Sequence, residues 1–443
     1  MTGRKPPLLL FLISAILISC SPGIGGEKDF GSPPTPETCF CDPDGVEAYL
    51  QWVWRNYPDR TDLRVIGYSE GGRKIYALEI SDNPGYPEAE PAVLINGAIH
   101  GHEQLSAGVA MKLIEYLINL DYHGDDYYLV ENFKLHFIPA VNPDGLAWGE
   151  RYNDNGVDLN RNFGYNWYEY EPYNGSAAFD QSESAAIRDD FIEHGYTLSL
   201  NLHTASNNGS YAGGDGIGIY APWDAITTVS AGGEESFTEN YLPNYPFIKQ
   251  IGLEYESDIT EQNRYPYASY FRYGEGADWY VMYGSMADWA LGERGTVSYT
   301  IELYGKQNYT TDDDFLMADA WDVHRPAMLR LIRQAERGSG GQITDNNKNE
   351  LSEAVVSLEY TESLGSRAFD LQIYNRLTGR TDKNGYFRLL TGPGDYHITI
   401  SKEGYEPLPK DPEKPVSINV DDSSGIGLTS SDSGHEAYPE YSL

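Results

Sequence analysis

Apolar positions recur with two different spacings along most of this chain, and the two spacings take turns. From Gly45 to Arg55 the apolar residues Val46, Leu50, Val53 and Trp54 fall on one helical face, and Asn56-Tyr57-Pro58 stops the run. Leu63–Tyr68 and Lys74–Ile80 read as strands joined by the turn Glu70-Gly71-Gly72. Ala92–Ile95 is apolar without a break and bounded by Pro91 and Gly97, which predicts a short strand buried on both faces. A helical segment reaching Leu120, an apolar strand Leu135–Val141 and a polar loop to Asn162 come next. A helix over Ser182–His194 and a strand over Thr197–Leu202 complete the pattern. Strands alternating with helices predict an α/β fold: a mixed, mostly parallel sheet flanked by helices, with its sites at the carboxyl ends of the strands.

The pattern changes near Arg337. Gly338-Ser339-Gly340-Gly341 reads as a linker, and from Gln342 to Pro407 short strands alternate with turns. These are Ala354–Tyr360, Leu371–Tyr374, Tyr386–Leu390 and Tyr396–Ser401, with a hairpin signal at Asp382-Lys383-Asn384-Gly385, and together they predict a small C-terminal β-sandwich. The Ser/Asp/Gly-rich end after Val420 reads as a disordered tail.

The first twenty residues stand apart. Arg4 and Lys5 precede a short apolar run, Leu8–Ile18, which has the layout of an export signal and is too short to span a bilayer. Leu17-Ile18-Ser19-Cys20 resembles the bacterial lipoprotein cleavage box, so Cys20 is expected to carry the lipid that holds the exported chain at the cell envelope. A simple secretory signal ending in cysteine is the alternative. Ser21–Pro36 is rich in Gly, Ser, Pro and Thr and reads as a tether. Cys39 and Cys41 are too few for a disulfide framework.

With 443 residues, 40% of them hydrophobic and 13% aromatic, the chain can bury a large core, which excludes wholesale disorder. Its 67 acidic and 31 basic residues give a formal charge of -36. That balance excludes nucleic acid as a partner and suits cationic peptides or hard cations such as calcium.

Candidate chemistry lies where the strands end. The strand Ala92–Ile95 runs into Ala98-Ile99-His100-Gly101-His102-Glu103, and a His and a Glu three apart can aim two ligand atoms at one ion. Zinc accepts both imidazole nitrogen and carboxylate oxygen. His203, at the end of another buried strand, is a candidate third ligand, and three protein ligands leave one position open for water, as catalytic sites do. Packed histidines and a paired core carboxylate would leave the same trace in so short a pattern.

Further along come Asn142-Pro143-Asp144-Gly145, Arg151 and Gly156-Val157-Asp158-Leu159-Asn160-Arg161-Asn162-Phe163. Gly276-Ala277-Asp278-Trp279-Tyr280, Gly284-Ser285-Met286-Ala287-Asp288-Trp289 and Tyr299-Thr300-Ile301-Glu302-Leu303 follow. In these phrases and their spacing, from about Asp42 to Gln334, the chain resembles the zinc metallocarboxypeptidases A, B, D, E and N. The resemblance implies one zinc ion per chain held by His100, Glu103 and His203. It implies that Glu302 is the general base, taking a proton from the attacking water and passing it to the leaving amine. Arg151 is then expected to stabilise the oxyanion. Arg161 and Asn160 would grip the substrate's terminal carboxylate, and Tyr280 would close over the bound end. His102, Asn162 and Asp144 are expected to be supporting residues, with His102 standing where many relatives carry a substrate-binding arginine.

The C-terminal phrases Thr381–Phe387, Gly392–Tyr396 and Lys402–Tyr405 resemble the transthyretin-like domain of the D, E and N branch. In that branch an aspartate lines the pocket for a C-terminal Lys or Arg. Tyr220-Ala221-Pro222-Trp223-Asp224 resembles its phrase imperfectly, which makes Asp224 the candidate and basic C-termini the expected preference. The expected organisation is a signal (1–20), a linker (21–41), a catalytic domain (42–337), a β-sandwich (338–420) and a tail (421–443). A monomer acting on peptide or protein C-termini is expected, anchored to the membrane through the N-terminal lipid. A cell-wall zinc amidase acting on muropeptides, and a peptide-binding module without catalysis, are the alternatives.

Overall fold

A computed structural model describes residues 34–206, 216–222, 225–229, 235–239, 245–262, 266–276, 282–305, 314–361, 376–410, 414–420 and 440–442. Its helices are α1 (Pro36–Cys39), α2 (Pro43–Asn56), α3 (Gln104–Ile118), α4 (Tyr128–Asn132), α5 (Pro143–Trp148), α6 (Ser182–His194), α7 (Tyr245–Gln262), α8 (Met286–Trp289) and α9 (Asp314–Arg333). Its first strands are β1 (Thr61–Tyr68), β2 (Lys74–Ile80), β3 (Ala92–Asn96), β4 (Lys134–Ile138), β5 (Leu198–Ser206) and β6 (Gly218–Ala221). A separate hairpin, β7 (Ala225–Val229) and β8 (Glu235–Glu239), precedes β9 (Arg272–Glu275) and β10 (Val297–Gly305).

Eight of these strands form one mixed sheet in the order β1-β2-β4-β3-β5-β10-β6-β9. The neighbours β4, β3, β5 and β10 run parallel, β1 and β2 are antiparallel to the strands beside them, and β6 is antiparallel to β10 and parallel to β9. Every residue of β3 and β4 is buried, as in strands covered on both faces, with Asn96, Lys134 and His136 buried among the apolar side chains. One face packs Ala92 and Leu94 against Ile187 and Phe191 of α6 and Trp289 of α8. The other carries α3, which is buried along almost its whole length between the sheet and α9.

Three boundaries differ from the sequence expectation. Cys39 and Phe40 are buried, the Phe40 ring lying beside Gly108 of α3, so residues 36–41 belong to the fold and not to the linker. Ser339–Thr344 forms β11, whose glycines pair with β14 (Tyr386–Leu389), so the expected linker 338–341 opens the first C-terminal strand. Glu440–Ser442 at the end of the expected tail forms β17, parallel to β11. The remaining C-terminal strands β12 (Val355–Tyr360), β13 (Arg376–Arg380), β15 (Gly394–Ser401) and β16 (Val416–Val420) make a second sheet in the order β13-β12-β15-β16. The expected strand Leu371–Tyr374 lies outside the described residues. Both sheets pack against the segment that leads into β10: a side chain at Gly295 would meet the Gly379 backbone of β13 at 2.6 Å and the Leu389 side chain of β14 at 2.8 Å, and Arg294 pairs with Glu353 at 2.7 Å. No helix among the described residues is long and apolar enough to cross a membrane.

His324 on α9 supplies a pH test of this packing. Its Nδ1 sits 2.8 Å from the Tyr255 hydroxyl of α7 and its ring packs on Phe271, fully enclosed. Burial pushes its pKa from 6.5 down to about 3. The unfolded chain takes up this proton below about pH 6.5 and the folded chain does not until far lower, so stability is full above that pH and lost as the pH falls. Between about pH 6 and pH 4 the wild type should lose about 1.4 kcal/mol per pH unit more than His324→Gln. Urea midpoints measured across that range check it, and parallel curves for the two proteins would contradict the assignment.

Candidate active site

The loop that leaves β3 is shaped by contacts its own sequence makes. Ala98 adopts a left-handed conformation (φ 47°), and its N–H donates to Ser106 Oγ at 2.8 Å. Ser106 Oγ in turn donates to the Glu103 carbonyl at 2.6 Å, which ties the loop to the first turn of α3. Gly101 presses on Gly145 so closely that a Cβ would come within 1.9 Å of the Gly145 carbonyl carbon, so no side chain fits there. Gly145 is held in place because Asn142 caps α5, accepting its N–H at 2.8 Å, with Pro143 at the first helical position.

Beneath the loop a buried polar ladder ties together the strands that carry the site. Asn96 of β3 donates to Asn201 Oδ1 of β5 at 2.6 Å, and Asn201 Nδ2 donates to Ser298 Oγ of β10 at 2.6 Å. Asn201 lies two residues before His203, and Ser298 four before Glu302, so by the two-residue period of a strand each points the same way as its site residue. Glu302 is paired with His203 in the β10–β5 register, which sets their side chains next to each other on one face of the sheet.

His100, Glu103 and His203 meet at this point, all buried, with one ligand atom of each within 4.8 Å of the others. Glu103 Oε1 lies 2.8 Å from His100 Nδ1, and Oε2 lies 2.9 Å from His203 Nδ1 and accepts the Thr204 N–H at 3.1 Å. Asp158 is within 3.1 Å of His100 Nε2. The Arg151 guanidinium, always a donor, lies 3.3 Å from Nδ1 of the same ring. With a metal at Nδ1, the ring proton would sit on Nε2, facing Asp158. Two imidazole nitrogens and a carboxylate at this spacing are a zinc-type donor set, so the residues present fit the ion the sequence resemblance implies.

Burial alone would raise the Asp158 carboxyl; His100, hydrogen-bonded to it, with Arg151 and Arg161 nearby, instead holds it far below the carboxylate range. Glu302 shows the opposite balance. Burial pushes its pKa above the ordinary range and Glu103 adds repulsion, against the attraction of His203 and Arg151. A carboxyl poised to hold a proton beside the ligand cluster suits a proton carrier.

Of the other expected residues, Arg151 arrives by way of the left-handed Gly149 that ends α5, and its Nε and Nη2 bind Asp158 Oδ2 at 2.9 and 2.8 Å. Asn160 Oδ1 accepts the Met286 N–H at 2.9 Å, which turns its amide nitrogen to the opposite side. Arg161 Nη1 donates to the Asn160 carbonyl at 2.9 Å, and its Nε donates to Glu171 at 3.3 Å. Asp144 holds the β1–β2 turn through Gly71 N and Arg73 Nη1, both at 2.7 Å, and Asn162 Nδ2 bonds the Asn174 and Ala177 carbonyls and Asp180. Both are structural, as expected. Tyr280, Asp224 and Cys20 lie outside the described residues.

Two residues that matter to this geometry had gone unassigned in the sequence. Asp158 sits inside a recognised phrase, so its position could have been singled out. Glu171 sits in a run of Tyr and Glu that carries no signal.

Comparison with known proteins agrees with this geometry. The sequence model of the zinc carboxypeptidase family matches residues 46–320. Human carboxypeptidase D is 28% identical over 419 residues, which is 88% of this chain and 27% of that protein. The chain thus spans about a quarter of that relative's length. The catalytic chain of human carboxypeptidase N is 27% identical over 411 residues, 85% of this chain and 84% of the relative. The crystal structure of carboxypeptidase A from Helicoverpa armigera superposes with a TM-score of 0.54 at 23% identity, covering 68% of this chain and 74% of that one, which is a likeness of fold.

Proposed function

Because this chain belongs to the zinc carboxypeptidase family, we propose that it hydrolyses the C-terminal peptide bond of peptides or proteins, with a preference for C-terminal Lys or Arg. The observation that carries the reading is the meeting of His100 and Glu103, on the loop after β3, with His203 of β5 and Glu302 of β10.

The two histidines and Glu103 would hold the zinc, which supplies polarisation of the scissile carbonyl and acidifies a water molecule. Glu302 would take a water's proton at its carboxylate as the water attacks, and return it to the leaving amine. Arg151 donates to the oxygen on which negative charge develops, its plane fixed in advance by Asp158. Arg161 and the Asn160 amide nitrogen take the terminal carboxylate, which is what confines the reaction to a chain end.

The basic preference is supported by the formal charge of -36 and by the place of Asp224 in its phrase. Export and anchoring through Cys20 rest on the sequence pattern described above.

Incubation with a random peptide mixture, followed by mass spectrometry with and without a chelator, tests the reading. Loss of single C-terminal residues, Lys and Arg foremost, should appear and stop when the metal is removed. Cleavage inside chains, or turnover indifferent to the chelator, would contradict it.

A further inference from the structure

We propose that Glu171 is a positioning residue for substrate recognition: it fixes the Arg161 guanidinium so that the terminal Nη end meets a free carboxylate. The inference rests on Arg161 being the carboxylate clamp and adds the residue that aims it.

Among the described residues, Glu171 and the Asn160 carbonyl set the orientation of Arg161. Glu171 Oε1 takes the Nε proton at 3.3 Å and the Asn160 carbonyl takes an Nη1 proton at 2.9 Å, fixing the plane of the fork. Both partners of the ion pair are largely enclosed, the side chains of Arg161 and Glu171 being 10% and 22% exposed. With the Nε side occupied, a second carboxylate meets the guanidinium at its terminal nitrogens.

The loop carrying Glu171 is built to hold it there. The Asn174 carbonyl accepts from Asn162 Nδ2 at 2.7 Å and from Trp167 Nε1 at 3.3 Å, while Asn174 Nδ2 donates to the Tyr168 carbonyl at 2.6 Å. The Asp158 N–H donates to the Tyr173 carbonyl at 2.7 Å, so the loop is stitched to the same segment that carries the clamp. Glu171 N–H closes a turn on the Tyr168 carbonyl at 3.0 Å, and the Tyr168 ring lies 5.1 Å from that of Tyr283, beside Met282, whose sulfur is 3.7 Å from Arg161 Nη1. A carboxylate this well located restricts an arginine that would otherwise sample many rotamers. It also lowers the local positive charge, so that a ligand gains most by meeting the fork in its bidentate geometry.

The test measures binding without turnover. In a zinc-loaded Glu302→Gln background, dissociation constants are measured by fluorescence for dansyl-Gly-Ala-Lys and dansyl-Gly-Ala-Phe, each as the free acid and as the C-terminal amide. Adding Glu171→Gln should shrink the acid-over-amide preference by about tenfold, leave amide binding unchanged, and be partly repaired by Glu171→Asp. An unchanged preference in Glu171→Gln, tighter binding of the free acid (as when Glu171 merely competes with it), or equal weakening of acid and amide overturns the proposal. Arg161→Ala separates the two levels. If it abolishes the preference while Glu171→Gln does not, only the positioning role fails; if it leaves the preference intact, the clamp assignment falls and takes this inference with it.

Discussion

Glu302→Gln should retain zinc at the wild-type stoichiometry and lose turnover by about 10²–10⁴-fold, the span that positioned general acid–base groups contribute. The substitution keeps size, shape and one hydrogen-bonding oxygen, so the β10–β5 pairing that seats the residue beside His203 has no reason to change. It removes the ability to accept a proton. Because the same carboxylate serves the attack and the departure of the amine, the loss should fall on kcat, with KM changed little. Metal analysis by atomic absorption and steady-state kinetics on one peptide decide it together. Full activity with full zinc would remove Glu302 from the mechanism. Lost zinc would instead mean that Glu302 supports the ligand cluster, a role its pairing partner His203 makes testable in the same experiment.

The parts of this molecule that sequence periodicity exposes are those whose surroundings are uniform. Ala92–Ile95 of β3 is apolar throughout because both faces are covered, and α6 ends where His194 and Gly195 say it should. The ligand pair His100 and Glu103 was visible because both lie on one short loop after a strand. What joins them to His203 and Glu302 is the strand order, and order is set by crossover connections that leave no local trace. Composition misled at Ser339–Thr344, where glycines that suggest a flexible link are instead pinned by pairing to β14, a long-range contact that overrides local preference. The loop expected from Asn142 to Asn162 contains α5 and a single turn at Leu159–Arg161. There the capping signal of Asn142 and Pro143 was present, but the helix is too short to show a period. Glu171 was illegible for a different reason: its role comes from a partner ten residues away through a loop whose shape is fixed by backbone carbonyls.

Asp158→Asn should weaken zinc binding by about 10–100-fold, the usual effect of removing a carboxylate behind a ligating histidine. Asp158 makes three contacts at once: Oδ1 faces His100 Nε2 at 3.1 Å and accepts the Asn160 N–H at 3.0 Å, while Oδ2 takes Arg151. The asparagine keeps an oxygen for His100 and the backbone, but it turns an NH2 group towards the Arg151 guanidinium, donor against donor. The imidazole then loses the negative charge that makes Nδ1 a stronger base, and Arg151 loses the acceptor that sets its plane. Two measurable consequences separate these effects. Competition against a fluorescent zinc chelator reports the ligand effect alone. Turnover at saturating zinc reports the Arg151 effect, which should persist as a fall in kcat after the metal site has been filled. If zinc affinity is untouched, the ring proton of His100 is not held by Asp158, and the tautomer that directs Nδ1 at the metal must be fixed by Glu103 and His203 themselves.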